Sequence, residues 1–437
     1  MAQFRKDRHE YLPDGKTLFE VVMLADQYGN RIGPANPSGT AVDAFGRARV
    51  STPLTLFDSS HRFKDNGLWS TSNTATATYA HHANSGLINL NVDTTINAEI
   101  IRETSKVFSY QPGKSLQILS TFVMDTAKTG LRQRVGYYGA QNGIYLELDG
   151  TTLSWVERSY SNNAINETRV SQANWNMDTL LGAVPSSPSQ ISLDISKAQI
   201  MFIDVEWLGL GTVRCGFVIN GQLIHTHSFH HANLITSTYM TTASLPCRYE
   251  IKNTAATASN STLKQVCTSV ISEGGYELRG DQWSIGTAVN SPKTLTTAGT
   301  YYPVVSIQLK STNLDAIVIL SALSILGINS NPASLGWKVI RGGTIGSASW
   351  TPASGNSSVE YDTSGTSITG GQVLAQGYVG INNQSSATVD VLKEALFKFQ
   401  LQRNSLTSTP EPITLAASAS VNSVQCLASM DWEEISR

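Results

Sequence analysis

From about Pro53 to Gly280 the chain is a succession of short runs rich in β-branched and aromatic residues, each closed by turn residues. LINLNV (87–92), SLQILSTFVM (115–124), GIYLELDG (143–150), TLSWVERSY (152–160), QIMFIDVEWLG (199–209), VRCGFVINGQLIHTHSF (213–229) and CRYEIKN (247–253) all have this form. Asp149-Gly150 and Asn220-Gly221 are short-range hairpin signals within it. No long amphipathic helical pattern separates the runs, so a parallel sheet with crossover helices is excluded. An antiparallel sandwich of the concanavalin-like jelly-roll type is expected for 53–280. A second set of runs, YYPVVSIQLK (301–310), AIVILSALSILGI (316–328), GWKVIRGG (336–343), PITLAASAS (412–420) and VQCLASMDWEEI (424–435), predicts a smaller β-sandwich over 281–437. The stretch ATVDVLKEALFKF (387–399) reads either as two helical turns or, through its last residues, as a strand. Residues 1–52 are dense in Gly, Pro and Asn and read as an extended N-terminal arm with little core of its own.

Charged residues make up only 15% of the chain and the formal net charge is −2. That balance has no electrostatic footprint for nucleic acid. Ser, Thr, Asn, Gln and Gly take the place of charges, as in secreted, adhesive or assembly-locked β proteins. No apolar run reaches the roughly 18–20 residues of a membrane span. The N-terminus lacks the apolar segment of a signal peptide. The four cysteines, Cys215, Cys247, Cys267 and Cys426, are far apart and lack zinc-type spacing, so they are expected to be free and buried.

Four of the eight histidines fall in INGQLIHTHSFHHAN (219–233). With Asn220-Gly221 as a two-residue turn, Gly216 pairs with His225 and Arg214 with His227, and both histidines share one strand face. A guanidinium opposite His227, with no carboxylate on the hairpin, argues against a metal. No metal or other cofactor is expected. His225 and His227 are assigned instead to an assembly contact, where protonation between about pH 6 and 7 would weaken association. In FIDVEWLG (202–209), Phe202, Asp204 and Glu206 share one face and Ile203, Val205 and Trp207 the other. The eight residues resemble the Glu-x-Asp-x-Glu strand of laminarinase-like glycoside hydrolases, in which the first Glu is the nucleophile. Phe202 stands at that position, so hydrolysis by that route is not expected. Asp204 and Glu206 remain candidate glycan contacts.

Three stretches resemble a family of tailed-bacteriophage virion proteins of cyanophage and marine-phage type: GTAVDAFGRARVSTPLTLFDSSHRF (39–63), VEWLGLGTVRCGFVINGQLIHTHSF (205–229) and LPCRYEIKNT (245–254). The C-terminal ASMDWEEI is compatible with it. The resemblance implies a non-enzymatic structural protein of the virion, assembled in the bacterial cytoplasm. It would join a tail, baseplate or fibre through its N-terminal arm. Other virion proteins would be its partners, and further copies of itself in a homo-oligomer. Phe45, Arg47 and Arg49 would make assembly contacts, the two arginines clamping carboxylates of a neighbour. A receptor-binding fibre protein that engages host-surface polysaccharide is the alternative reading, and a decoration protein of the capsid head a lesser one.

Overall fold

A computed structural model describes residues 51–436 except 75, 109, 278–279, 382–387, 392–398 and 405, together with the strands Arg8–Tyr11 and Leu18–Val21. The chain divides into two compact units, Met1–Thr52 and Pro53–Arg437. In the first, the two described strands pair antiparallel, Arg8 opposite Val21. Phe45, Arg47 and Arg49 lie outside the described residues.

The second unit is an antiparallel all-β body with two cores. The only helical element among its described residues is one 3-10 turn, Gln172–Asn174. The first core is a jelly-roll sandwich. One of its sheets runs in the order Asn166–Ser171, Thr152–Ser159, Gly143–Asp149, Leu131–Tyr138, Cys247–Asn253, Glu99–Thr104, Trp69–Asn73. The other runs Gln222–Phe229, Val213–Ile219, Gln199–Val205, Leu116–Val123, Ser261–Ser272, Leu87–Val92, Ala77–His82, with Leu54–Ser60 also paired to Ser261–Ser272. Side-chain alternation builds this core directly. Leu116, Ile118, Ser120 and Phe122 are buried while their neighbours are half-exposed. Trp155 from the first sheet meets Phe217 from the second, with ring centroids 5.8 Å apart. Trp207, just past Val205, packs against the same core. The second core, from Trp283 to Trp432, lies between a five-stranded sheet around Val424–Ser436 and a six-stranded sheet around Ile413–Ala419. All four cysteines are free; Cys215, Cys247 and Cys426 are buried and Cys267 is half-buried.

Two local expectations are corrected. Thr388–Val391 is a strand on Ala322–Ile325, so the helical reading of this stretch does not hold for its described residues. The hairpin signalled by Asp149-Gly150 is present: Asp149 pairs with Thr152, and Gly150-Thr151 is the two-residue turn, Gly150 having φ +60°. The second correction lies in the histidine hairpin. Asn220 and Gly221 do form the turn, with φ of +52° and +75°. The pairing holds as far as Gly216 with His225, and then a bulge places Cys215 opposite His227 and Arg214 opposite Ser228. Thr226 is the extra residue. Its hydroxyl accepts from Trp155 Nε1 at 3.0 Å and donates to the Cys215 carbonyl at 3.0 Å, which holds the bulge against the core.

The outer face of the seven-stranded sheet is polar and nearly closed. Tyr138 and Tyr145 lie with centroids 4.4 Å apart. Gly136 stands opposite Tyr145, and a Cβ there would fall 2.4 Å from the Ile144 carbonyl oxygen. Three guanidiniums roof the rings: Arg134 over Tyr145, Arg248 over Tyr138 and Arg158 over both. Arg134 is paired with Glu147 at 2.7 Å and with Glu250 at 3.2 Å, all three side chains being at most 5% exposed. Burial alone would raise the Glu250 carboxyl, but Arg134, Arg132 and Arg248 together hold it below its ordinary value.

The same ladder reaches the second core. Glu103, fully buried, accepts from Arg248 Nε at 2.8 Å and from Arg403 Nη1 at 3.3 Å. Arg403 also pairs with Asp315 at 3.1 Å. Beside it, Gln400 donates to the Val107 carbonyl at 3.2 Å, and the Arg403 amide donates to that of Ser105 at 3.3 Å. A short segment around Gln400–Arg403 is therefore the seam between the two cores.

Candidate binding pocket on the jelly roll

Strand alternation sets the site. Met201, Ile203 and Val205 point into the core, which leaves Phe202 and Asp204 on the outer face of the eight-stranded sheet. Asp204 stands between Arg214 on one neighbouring strand and Gln117 on the other. Past Val205 the chain turns back within a few residues. Leu208 and Gly209 have φ of +40° and +80°, and the Gly211 amide donates to the Trp207 carbonyl at 2.7 Å. A Cβ on Gly211 would lie 2.1 Å from the Glu206 carbonyl oxygen, so the turn needs glycine there. The Glu206 carboxylate accepts from the Thr212 amide at 3.2 Å.

Between this turn and the segment leading into Leu116–Val123 is a pocket of about 510 Å³. Its wall includes Tyr110, Lys114, Asp204, Glu206, Leu208 and Arg214. That volume lies within the roughly 300–1,000 Å³ usual for small-molecule sites. Two carboxylates and two cations balance on the wall. Tyr110, set edge-on to Trp207 at 5.8 Å, and Leu208, 58% exposed, supply apolar surface. Asp204 is the unusual member. It is 7% exposed, one of its oxygens is bound by Arg214, and the other has no hydrogen-bond donor. Burial pushes its carboxyl up to about 6; Glu273 and Glu206 add to the rise and Arg214 opposes it.

The four histidines do not form a centre. Among the described residues no group of three or more His, Cys, Asp or Glu side chains is placed to hold a metal. His227 is 6% exposed, accepts from the Asn176 amide at 3.3 Å and lies edge-on to Phe229. It is held within its own fold and offers little surface to another chain. Burial, with His225 and His230 nearby, lowers its imidazole to about 4. His225, half-buried beside Ser228, is lowered by burial and by Arg214. For His227 this moves titration below the expected window between pH 6 and 7, because desolvation disfavours its charged form; His225 shifts in the same direction. Nor does the hairpin lack a carboxylate nearby: Arg214 is engaged by Asp204 from the adjacent strand.

His231 behaves in the opposite way. It is 5% exposed, stacked on Tyr239 at 3.9 Å, with Nε2 2.7 Å from Glu157 and Nδ1 2.5 Å from the Gly211 carbonyl. Two acceptors on two ring nitrogens demand the imidazolium. Burial alone would lower its pKa, but Glu157 and the carbonyl outweigh burial and raise it above the ordinary 6.5. A raised folded-state value gives stability that is fully present below pH 6.5 and is lost as pH rises through the folded value. Thermal unfolding of the wild type should therefore show a stability loss on the alkaline side of pH 6.5 that is absent in His231→Gln. An identical pH profile for the two proteins would refute the charged state.

Asp204 and Glu206, singled out from eight residues of sequence, thus share one pocket. Tyr110 and Lys114, about ninety residues upstream, were missed. The turn residues in QPGKS (111–115) signal a loop there, but nothing local places it beside Asp204. Arg214 was read against the wrong partner, although the short loop after Val205 was a signal for the Asp204–Arg214 register.

Structural likenesses are broad and distant. A protein of unknown function from Shewanella oneidensis aligns at 13% identity and a TM-score of 0.34, over 56% of this chain and 96% of its own. A Bacteroides ovatus glycoside hydrolase of the GH16 type, solved with a mixed-linkage glucan product, aligns at 9% and 0.33, over 49% and 99%. A carbohydrate-binding module from the evolved Dit protein of the Lactobacillus casei phage J-1 aligns at 7% and 0.32, over 52% and 100%. No protein-family model and no curated protein matches the chain.

Proposed function

We propose that the chain is a non-enzymatic structural protein of a tailed-phage virion, placed on the tail, baseplate or fibre, whose jelly roll engages a surface polysaccharide. The binding half rests on one observation: a jelly-roll pocket of about 510 Å³ whose wall includes Lys114, Glu206 and Arg214 beside Tyr110 and Leu208. Charged and polar groups next to apolar surface suit a hydroxyl-rich ligand. A catalytic role is disfavoured by Phe202, which stands where a third carboxylate would be, and by Arg214, which occupies Asp204. The assembly half rests on the stretches 39–63, 205–229 and 245–254 and on a low-charge polar surface. The buried seam at Glu103 and Arg403, which ties two cores into one body, suits a load-bearing subunit.

Purified particles of the encoding phage should contain the chain by mass spectrometry. A version lacking residues 1–52 should fold yet be missing from them. Absence of the full-length chain from the particles would refute the virion role. Normal incorporation of the truncated chain would refute anchoring by the arm.

A further inference from the structure

We infer that the edge strand Gln372–Ile381 is where two copies of this chain meet. The strand pairs antiparallel with itself about a twofold axis near Gly377, so that two six-stranded sheets become one. This contact belongs to the second core and does not rest on the polysaccharide or virion readings above.

The strand lies at the end of its sheet, and its one strand partner among the described residues is Ala333–Arg341. A bulge at Leu374, the extra residue between Val373 and Ala375, leaves Ala375–Ile381 as the regular part. An edge strand presents a row of backbone donors and acceptors that another extended strand matches group for group. Folded proteins usually guard such edges with a charge, a proline, a short length or a covering segment. Several other sheet edges here are guarded in these ways. Met177 and Asp178 cover Gln222–Phe229, their amides donating to the Thr226 carbonyl at 3.0 and 3.1 Å. Asn166–Ser171 carries Glu167 and Arg169, and Asp281–Gly286 begins on a carboxylate. Thr351–Pro352 is two residues long and ends on proline. Gln372–Ile381, by contrast, is ten residues long, QVLAQGYVGI, with no charge and no proline.

Three observations select a second copy as the occupant. A charge near the middle of a strand meets its own copy when that strand pairs with itself, and this strand has none. Secondly, the second core is open on this side. Ala375 and Val379 pack against it yet stay only half-buried. A twofold axis perpendicular to the sheet keeps the inward face inward. With Gly377 on that axis, Ala375 of each copy stands opposite Val379 of the other, and each core covers the open side of its neighbour. Thirdly, Tyr378 on the outward face is 78% exposed beside Gly336. The same axis sets it opposite Gln376, an uncharged side chain whose stem can cover the ring.

The test uses the full chain, followed by sedimentation velocity over a dilution series and by hydrogen exchange at the outward-pointing amides of Ala375–Val379. A dimer that dissociates on dilution is expected, with exchange at these amides slowed as it forms. Gln376→Lys with Tyr378→Lys, and Gln376→Glu with Tyr378→Glu, each set like charges opposite one another across the axis. Each pair should weaken the dimer by about tenfold or more. Both side chains are exposed, so the single chain should keep its fold, and the acidic version also gains Lys338 opposite position 376. Mixing the two variants should restore association, because the opposed charges then attract.

A chain that stays monomeric with these amides exchanging freely would overturn the inference and leave the edge to a strand from another protein. A monomer with the amides protected would overturn it too, since a segment of the chain itself would then cover the edge. A dimer unweakened by either charged pair would place the contact between copies elsewhere. Charged variants that remain monomeric when mixed would refute the antiparallel self-pairing.

Discussion

Replacing Arg134 with methionine should cost about 3–5 kcal/mol of folding stability, the usual penalty for stripping a buried charge of its partner. The guanidinium lies between two carboxylates, Glu147 and Glu250, which are 2% and 5% exposed. Methionine fills much of the volume but leaves two like charges facing each other away from water. Arg169 still reaches Glu147 and Arg132 still reaches Glu250, which keeps the loss at one side chain's worth rather than collapse of the sheet. Chemical denaturation of the purified chain measures it. The triple replacement Arg134→Met, Glu147→Gln, Glu250→Gln should recover part of the loss, since it removes the two buried carboxylates and leaves Arg132 and Arg169, which are 21% and 42% exposed, in reach of water. A single-variant loss below 1 kcal/mol would mean that water reaches this face and that the ladder is solvated.

The second large effect is expected at the seam. Glu103→Gln should destabilise by a similar amount, about 3–5 kcal/mol. Here the stranded groups are cations. Arg248 loses its 2.8 Å carboxylate partner, and Arg403 keeps only Asp315. The variant also tests how the two cores are joined. If Glu103 couples them, the variant should unfold in two steps where the wild type unfolds in one, followed by tryptophan fluorescence and circular dichroism together. A single transition shifted by less than 1 kcal/mol would show that Gln400 and the backbone bonds to Val107 and Ser105 hold the seam without the ion pairs.

Much of the architecture was legible because it depends on neighbours in sequence. Period-two alternation put Ile203 and Val205 on one face and Phe202 and Asp204 on the other, and the fold keeps that division, with Ile203 and Val205 in the core. The Asn220-Gly221 pair specified its turn because both positions need positive φ, which these two residues tolerate best. The hairpin register failed at Thr226, where the bulged strand itself carries no glycine or proline and the one glycine at the shift, Gly216, lies on the partner strand. The bulge is held by a bond from Trp155, a residue of the opposite sheet. A register counted along one hairpin cannot include that partner.

The candidate site divides along the same line. Alternation put Asp204 and Glu206 on one strand face. That Asp204 is short of a donor, raised by burial, and enclosed with Tyr110 and Lys114 follows from sheet order, which brings residues some ninety positions apart onto one wall. The histidines illustrate the point most directly. Side chains of the same type, within seven residues, are driven in opposite directions: His227 is lowered by desolvation, and His231 is raised by a carboxylate from the far side of the sandwich.

By itself, then, the sequence determined the antiparallel β class, most of the strands with their two faces, and the absence of a nucleic-acid-like charge. All of these follow from periodicity and composition, which act over a few residues. Only the tertiary structure decided the Arg–Glu ladder over Tyr138 and Tyr145, the seam at Glu103 and Arg403, and the pocket around Asp204. Each is built from side chains contributed by separate strands. The energies that set them, desolvation and charge pairing at low dielectric, exist only once the sheets have come together.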